Sequence, residues 1–156
     1  MDFSPITPDL FIGTTPVVED YQCLHDLGVR LVINMRAERR PFPDPSTPPL
    51  NLLWLPTFDN PLLLIPIRML RRGVHAALDT INQGGKVYAH CAGGRHRGVA
   101  MGAAILIALG YGPQEAMTLI KDRRIISDPF VFYIRSRILR FARLWVPIMQ
   151  PSPFRE

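Results

Sequence analysis

Cys91 and Arg97 frame a short glycine-containing loop in the run Val87-Tyr88-Ala89-His90-Cys91-Ala92-Gly93-Gly94-Arg95-His96-Arg97-Gly98. A cysteine thiol is a weak nucleophile until ionised, and its pKa falls at a helix N-terminus or beside a cation. The apolar segment Val99–Leu109 reads as a helix leaving the loop, so the sequence offers Cys91 both influences, the helix amides and Arg97. Gly93 and Gly94 allow the backbone to turn successive N–H groups inward, which makes an anion nest across Ala92, Gly93, Gly94, Arg95 and His96. The planar fork of Arg97 can grip two phosphoryl oxygens, which lysine cannot do. These residue types suit in-line attack of a thiolate on phosphorus while the loop holds the equatorial oxygens.

The leaving alkoxide or phenoxide then needs a proton, and a carboxylic acid near a strand end supplies it. Asp59, just after the Leu52–Leu55 strand, is the first candidate. Asp44, in a proline-rich loop, is the second, and Asp79, embedded in a long helix, is set aside. His90 has no matching ligand cluster for a metal, so its expected role is hydrogen bonding beside the thiolate. No Gly-Lys-Ser/Thr follows the loop, which excludes a Walker-type nucleotide site.

The elements that must position this loop alternate. Residues 4–8 read as extended and Leu10–Ile12 as a short strand stopped by Gly13. Val17, Tyr21, Leu24 and Leu27 recur at helical spacing, with Gly28 as the stop. Val29–Met35 suits a strand buried on both faces, Arg36–Pro49 is a loop, and Asn51–Pro56 is the next strand. A long amphipathic helix spans Pro66–Asn82, and the strand Lys86–His90 leads into the loop. A helix begins at Pro113, and a last one runs from Asp128-Pro129 to about Val146, with Phe130, Ile134, Ile138, Phe141 and Trp145 on one stripe. The expected fold is α/β, a single domain with a mainly parallel sheet flanked by helices, whose ligand sits outside the carboxyl ends of the strands. The domain is expected over 1–146, with a frayed tail over 147–156.

A chain of 156 residues with 47% apolar and 20% charged residues is globular. Its longest apolar run is too short to cross a bilayer, and its first residues lack the form of a signal peptide. Cys23 and Cys91 form no disulfide or metal spacing and suit a reducing cytoplasm. The net charge of +5, carried mainly by arginine, favours anionic partners. The expected partner is a phosphorylated protein or another anionic phosphomonoester, bound by a monomer with no stable nucleic acid.

The run His90-Cys91-Ala92-Gly93-Gly94-Arg95-His96-Arg97 resembles the HC-x5-R signature of the dual-specificity branch of the cysteine-dependent protein tyrosine phosphatases. The likeness extends to Ile6–Gly13 as the opening strand, Leu24–Asn34 as the first helix and next strand, and Arg123–Pro129 as the segment behind the loop. It implies a phosphotyrosine protein phosphatase-like fold. It also implies that Cys91 becomes phosphocysteine, that Arg97 binds phosphate and stabilises the transition state, and that Asp59 protonates the leaving group and then activates water. His90 and Gly98 are supporting positions in this likeness, which calls for no metal and no cofactor.

Gly98 departs from the family pattern, where serine or threonine usually assists departure of the cysteine sulfur. Slow breakdown of phosphocysteine is therefore expected. Arg95 adds a cation at a place where some lipid phosphatases of this fold carry Lys or Arg. The leading reading is hydrolysis of phosphotyrosine and of phosphoserine or phosphothreonine in proteins. The alternatives are a phosphoinositide, another phospholipid or RNA 5′-phosphates, and, from another class, a phosphate-binding pseudophosphatase module with slow turnover. A sulfur-transfer or arsenate-reducing enzyme is more distant, since it leaves Asp59 unexplained.

Overall fold

A computed structural model of the chain describes residues 1–145. The strands are β1 (Phe3–Thr7), β2 (Leu10–Gly13), β3 (Val29–Arg36), β4 (Asn51–Thr57) and β5 (Lys86–His90). The helices are α1 (Tyr21–Asp26), α2 (Ile67–Asn82), α3 (Arg97–Ala108), α4 (Pro113–Arg123) and α5 (Phe132–Leu144). The sheet order is β1-β2-β5-β3-β4, with β1 antiparallel to β2 and every other pairing parallel. The strand that carries the cysteine is therefore central, hydrogen-bonded to β2 on one side and β3 on the other.

Alternation along the strands divides the core in two. Leu31, Ile33, Met35, Val87, Ala89 and Cys91 pack with α2, α3, α4 and α5 on one face of the sheet. Val32 and Tyr88 pack with Phe11, Tyr21 and Leu24 on the other, beneath α1. Helix α3 is the innermost, with every residue from Arg97 to Ile107 buried. Its small residues allow that depth: a Cβ on Gly102 would stand 2.3 Å from Ile12 Cδ1, so α3 lies almost on the sheet.

Three boundaries differ from the sequence expectation. The Val17–Leu27 spacing resolves into a single 3-10 turn, Val18–Asp20, followed by α1. Helix α3 begins at Arg97 rather than Val99, so the arginine belongs to the helix's first turn. Helix α5 begins at Phe132 rather than Asp128, because Asp128 N–H donates to the Arg95 carbonyl at 2.9 Å and its segment braces the loop instead. Phe130 thereby leaves the buried stripe and is exposed, while Ile134, Ile138 and Phe141 remain in it. The expected tail over 147–156 lies outside the described residues.

Candidate active site

The Cys91 loop sits at the carboxyl end of β5, where parallel neighbours on both sides leave a crevice. Cys91 continues the face of Val87 and Ala89 toward α3 and is 3% exposed. His90, one residue earlier, points to the opposite face and packs on Tyr88 with ring centroids 5.9 Å apart. Its Nδ1–H donates to the Cys91 carbonyl at 3.2 Å, so it braces the loop backbone. Burial pushes the His90 imidazole down to about 4, which keeps it neutral at physiological pH. The Cys91 carbonyl also accepts from Thr15 Oγ1 at 3.0 Å, and Thr15 Oγ1 accepts from Arg36 Nη1 at 2.9 Å.

Of the two loop glycines only Gly94 has a positive φ, +62°. A Cβ there would lie 2.7 Å from both Arg124 Nη2 and the Gly13 carbonyl, whereas one on Gly93 would meet nothing nearer than 3.7 Å. Arg124 holds the loop from behind. Its Nε donates to the Gly94 carbonyl at 2.8 Å, its Nη2 to the Gly93 carbonyl at 3.2 Å and to Asp2 at 3.0 Å, and its Nη1 to Ser4 Oγ at 3.1 Å. Arg95 is exposed at the loop surface, its Nε donating to the Ile126 carbonyl at 3.1 Å. Gly98 lies under the strand end: a Cβ on it would stand 3.2 Å from Cys91 N and from His90 C and Cα.

Arg97 is buried beneath the loop and faces Glu38, from the β3–β4 connection. Nη1 and Nη2 donate to the two Glu38 oxygens at 2.9 Å each. Nη1 also donates to the Thr57 carbonyl at 2.8 Å and, more weakly, the Met35 carbonyl at 3.4 Å. Nε–H is buried without a partner among the described residues. A guanidinium has five N–H groups, so Nε–H and the second Nη2–H remain, side by side on one edge of the fork. That edge matches two oxygens of a phosphoryl group. Burial by itself would lower the Arg97 pKa, but the hydrogen bond and charge of Glu38, with the charge of Asp59, raise it, so the cation persists. The Arg97 hydrogen bond in turn holds Glu38 down at about 2.

Asp59 stands in the segment after β4 and reaches the loop through His96. His96 Nδ1–H donates to Asp59 Oδ2 at 2.9 Å, and Tyr133 Oη–H, from α5, donates to Asp59 Oδ1 at 2.7 Å. Burial works to raise the Asp59 pKa, but these two hydrogen bonds outweigh it and hold the carboxyl below its usual range. Burial and Asp59 together push Tyr133 up to about 12. Asp44 is occupied elsewhere: its fully buried side chain accepts from His25 Nε2 at 2.8 Å, Leu50 N at 2.7 Å and Ser46 N at 3.0 Å. It anchors the proline-rich loop and is not free to serve as an acid.

The structure thus brings Cys91, the Ala92–His96 loop, Arg97 and Asp59 to one end of the sheet. Sequence reading misses Glu38, Tyr133 and the bracing function of Arg124. Glu38 is the sole acid within the basic run Arg36–Arg40, a composition that hints at a partner for a cation; Tyr133 carries no such signal.

No protein-family model and no curated protein sequence matches the chain. Solved structures do. Human DUSP28 matches with a TM-score of 0.79 and 22% identity over 90% of this chain and 93% of its own. PTPMT1 matches with a TM-score of 0.79 and 26% identity over 91% and 94%, and PTPMT1 in complex with PI(5)P with 0.79 and 25% over 90% and 94%. Human tyrosine phosphatase-like serine/threonine/tyrosine-interacting protein matches with a TM-score of 0.75 and 22% identity over 90% and 95%. The chain has the fold of the dual-specificity branch of the cysteine-dependent protein tyrosine phosphatases.

Proposed function

We propose that the chain is a cysteine-dependent phosphatase that hydrolyses phosphomonoesters through a phosphocysteine intermediate. The observation that carries this reading is the free edge of Arg97, a buried cation with Nε–H unpartnered among the described residues, beneath a loop headed by Cys91. In the first step Cys91 Sγ attacks phosphorus as the bond to the leaving oxygen breaks, and Asp59 gives that oxygen its proton. In the second, Asp59 takes a proton from water, the water oxygen bonds to phosphorus, and the S–P bond breaks to release phosphate. The Arg97 edge and loop amides hold the equatorial oxygens throughout. Glu38 keeps the guanidinium in plane with that task.

The substrates in this reading are phosphotyrosine and phosphoserine or phosphothreonine in proteins, in keeping with the dual-specificity phosphatases of the same fold. A phosphoinositide is the second reading, favoured by exposed Arg95 on the loop and by the likeness to PTPMT1 in complex with PI(5)P. Turnover of an aryl phosphate, of phosphotyrosine and phosphothreonine peptides, and of phosphoinositides by wild type, Cys91→Ser and Asp59→Asn tests both. Cys91→Ser should be inactive on every substrate, and full activity there would overturn the mechanism. Asp59→Asn should lose most on alkyl phosphates, whose leaving groups need the proton. Absence of turnover by wild type on the whole panel would favour the phosphate-binding module.

A further inference from the structure

The end of the molecule that bears the loop keeps large apolar side chains in solvent. Leu62 is 88% exposed and stands with exposed Leu63 and Leu64 between β4 and α2, just after exposed Phe58. The segment between α4 and α5 carries Ile125, 79% exposed, together with exposed Ile126 and Phe130, and α5 opens on Phe132, 70% exposed. Both segments are fastened to the loop. Asp59 of the first is held by His96 and Tyr133, and the Ile126 carbonyl of the second by Arg95.

Each apolar segment runs directly into a helix, and the two helices lie side by side in parallel. Arg137 Nε, midway along α5, donates to the Ile65 carbonyl just before α2 at 3.0 Å, and Arg71 Nη2 donates to the Leu144 carbonyl at the end of α5 at 3.1 Å. His75 packs on Trp145 beyond that, with ring centroids 5.6 Å apart. Their solvent faces are cationic: Arg68, Arg71 and Arg72 on α2 and Arg135, Arg140 and Arg143 on α5 are all exposed. Helix α5 contains no acidic residue and α2 contains only Asp79. None of these six arginines makes a salt bridge among the described residues.

Clustered exposed apolar side chains rimmed by charge mark an interaction surface. The partner must be anionic beside the starts of the two helices, where Arg68, Arg72 and Arg135 stand, and must accept protruding leucine and phenylalanine side chains beneath its charge. An anionic bilayer meets both demands, with phosphates at the level of the arginines and an acyl boundary below. No described helix is long and apolar enough to cross a membrane, so the contact is interfacial. We propose that this end of the molecule docks on an anionic phospholipid bilayer, with Leu62–Leu64 and Phe132 in the acyl boundary and the arginines nearest the helix starts, Arg68, Arg72 and Arg135, on the headgroups. The Cys91 loop then opens at the membrane surface. This inference does not depend on the phosphatase reading.

Sedimentation of the protein with vesicles tests it, comparing phosphatidylcholine alone with an equal mixture of phosphatidylcholine and phosphatidylglycerol. Wild type should bind the mixed vesicles, more weakly as salt rises, and not the neutral ones. Arg68→Gln/Arg72→Gln/Arg135→Gln should weaken binding roughly 100-fold. Leu62→Ser/Leu63→Ser should weaken it about tenfold. Unchanged circular dichroism and thermal transitions confirm that both variants fold. Failure of wild type to sediment with the mixed vesicles overturns the proposal. So does wild-type binding by the leucine variant, because a site read by charge alone serves a polyanion such as nucleic acid or an acidic protein. Hydrolysis of a water-soluble aryl phosphate by the same proteins reports the catalytic reading separately, since none of the substituted residues belongs to the loop or its partners.

Discussion

Arg97 has five N–H groups, and the fold uses three of them to hold the side chain in place. In the proposed mechanism the pair left on one edge receives the anion. Tyr133 and His96 act comparably on Asp59 by occupying both carboxylate oxygens, which favours the ionised form. In the proposed mechanism Asp59 must carry its proton as general acid, so activity on poor leaving groups should fall as pH rises through the Asp59 pKa. Tyr133→Phe removes one of the bonds that depress this pKa, so the fall should move to higher pH. kcat/KM for alkyl phosphates at neutral pH should then rise several-fold, with little change for an aryl phosphate. An unmoved pH profile would show that Tyr133 does not govern the acid. Gly98 bears on the second step of the proposed mechanism. The strand end 3.2 Å from its missing Cβ means that Gly98→Ser adds steric pressure as well as a hydroxyl, so wild type is not the proper reference for that variant. Gly98→Ala carries the same pressure without the hydroxyl. Gly98→Ser should hydrolyse phosphocysteine several-fold faster than Gly98→Ala, with equal bursts in rapid-mixing experiments. Equal steady-state rates would remove the role assigned to the hydroxyl.

The loop between β5 and α3 is shaped by two constraints, a left-handed residue at Gly94 and the buried guanidinium of Arg124 behind it. The two neighbouring glycines therefore differ in what they tolerate. Gly94→Ala should destabilise the chain by about 2 kcal/mol or more, from left-handed strain and the 2.7 Å approach to the Gly13 carbonyl. Gly93→Ala has room and should change stability by less than about 0.5 kcal/mol. Denaturant unfolding of both variants measures the contrast, and equal losses would contradict this geometry. Helix α3 and the α4–α5 connection extend the same economy of parts. The arginine that sequence pattern places at the exit of the loop is the first residue of α3, and Asp128, expected to open α5, is spent on the Arg95 carbonyl.

At the scale of the whole molecule, Glu38, Asp44 and Asp59 all have carboxyl pKa values below their ordinary range in the folded chain. A group of this kind contributes stability that is fully present above its unfolded pKa, about 4, and lost as pH falls through the folded value. The melting temperature should therefore drop as pH falls below about 4. Burial opposes ionisation of Asp44, but the bonds from Leu50, Ser46 and His25 outweigh it, and the Asp44 side chain, unlike those of Glu38 and Asp59, has no solvent exposure. Asp44→Asn should lower stability by about 2 kcal/mol at neutral pH and flatten the acid-side decline. Thermal unfolding across this range decides the matter, and an unchanged slope would assign the decline to other groups.

Much of this architecture is legible from local pattern. Strand alternation, helix spacing and the His-Cys loop depend on neighbours in the chain, and their periods are written into a few consecutive residues. Cys91 and Arg97 could be read in the same way, six positions apart in one loop. What only the tertiary structure decided are contacts between distant segments: Glu38 on Arg97 across 59 positions, and Tyr133 on Asp59 across 74. It also decided which face His90 takes, since a one-residue step along β5 sends it away from the cysteine sulfur. The physical reason is that residue type and spacing determine which chemistry is possible. The closing of the sheet then chooses which donors are used up in holding a side chain and which remain free to meet a substrate.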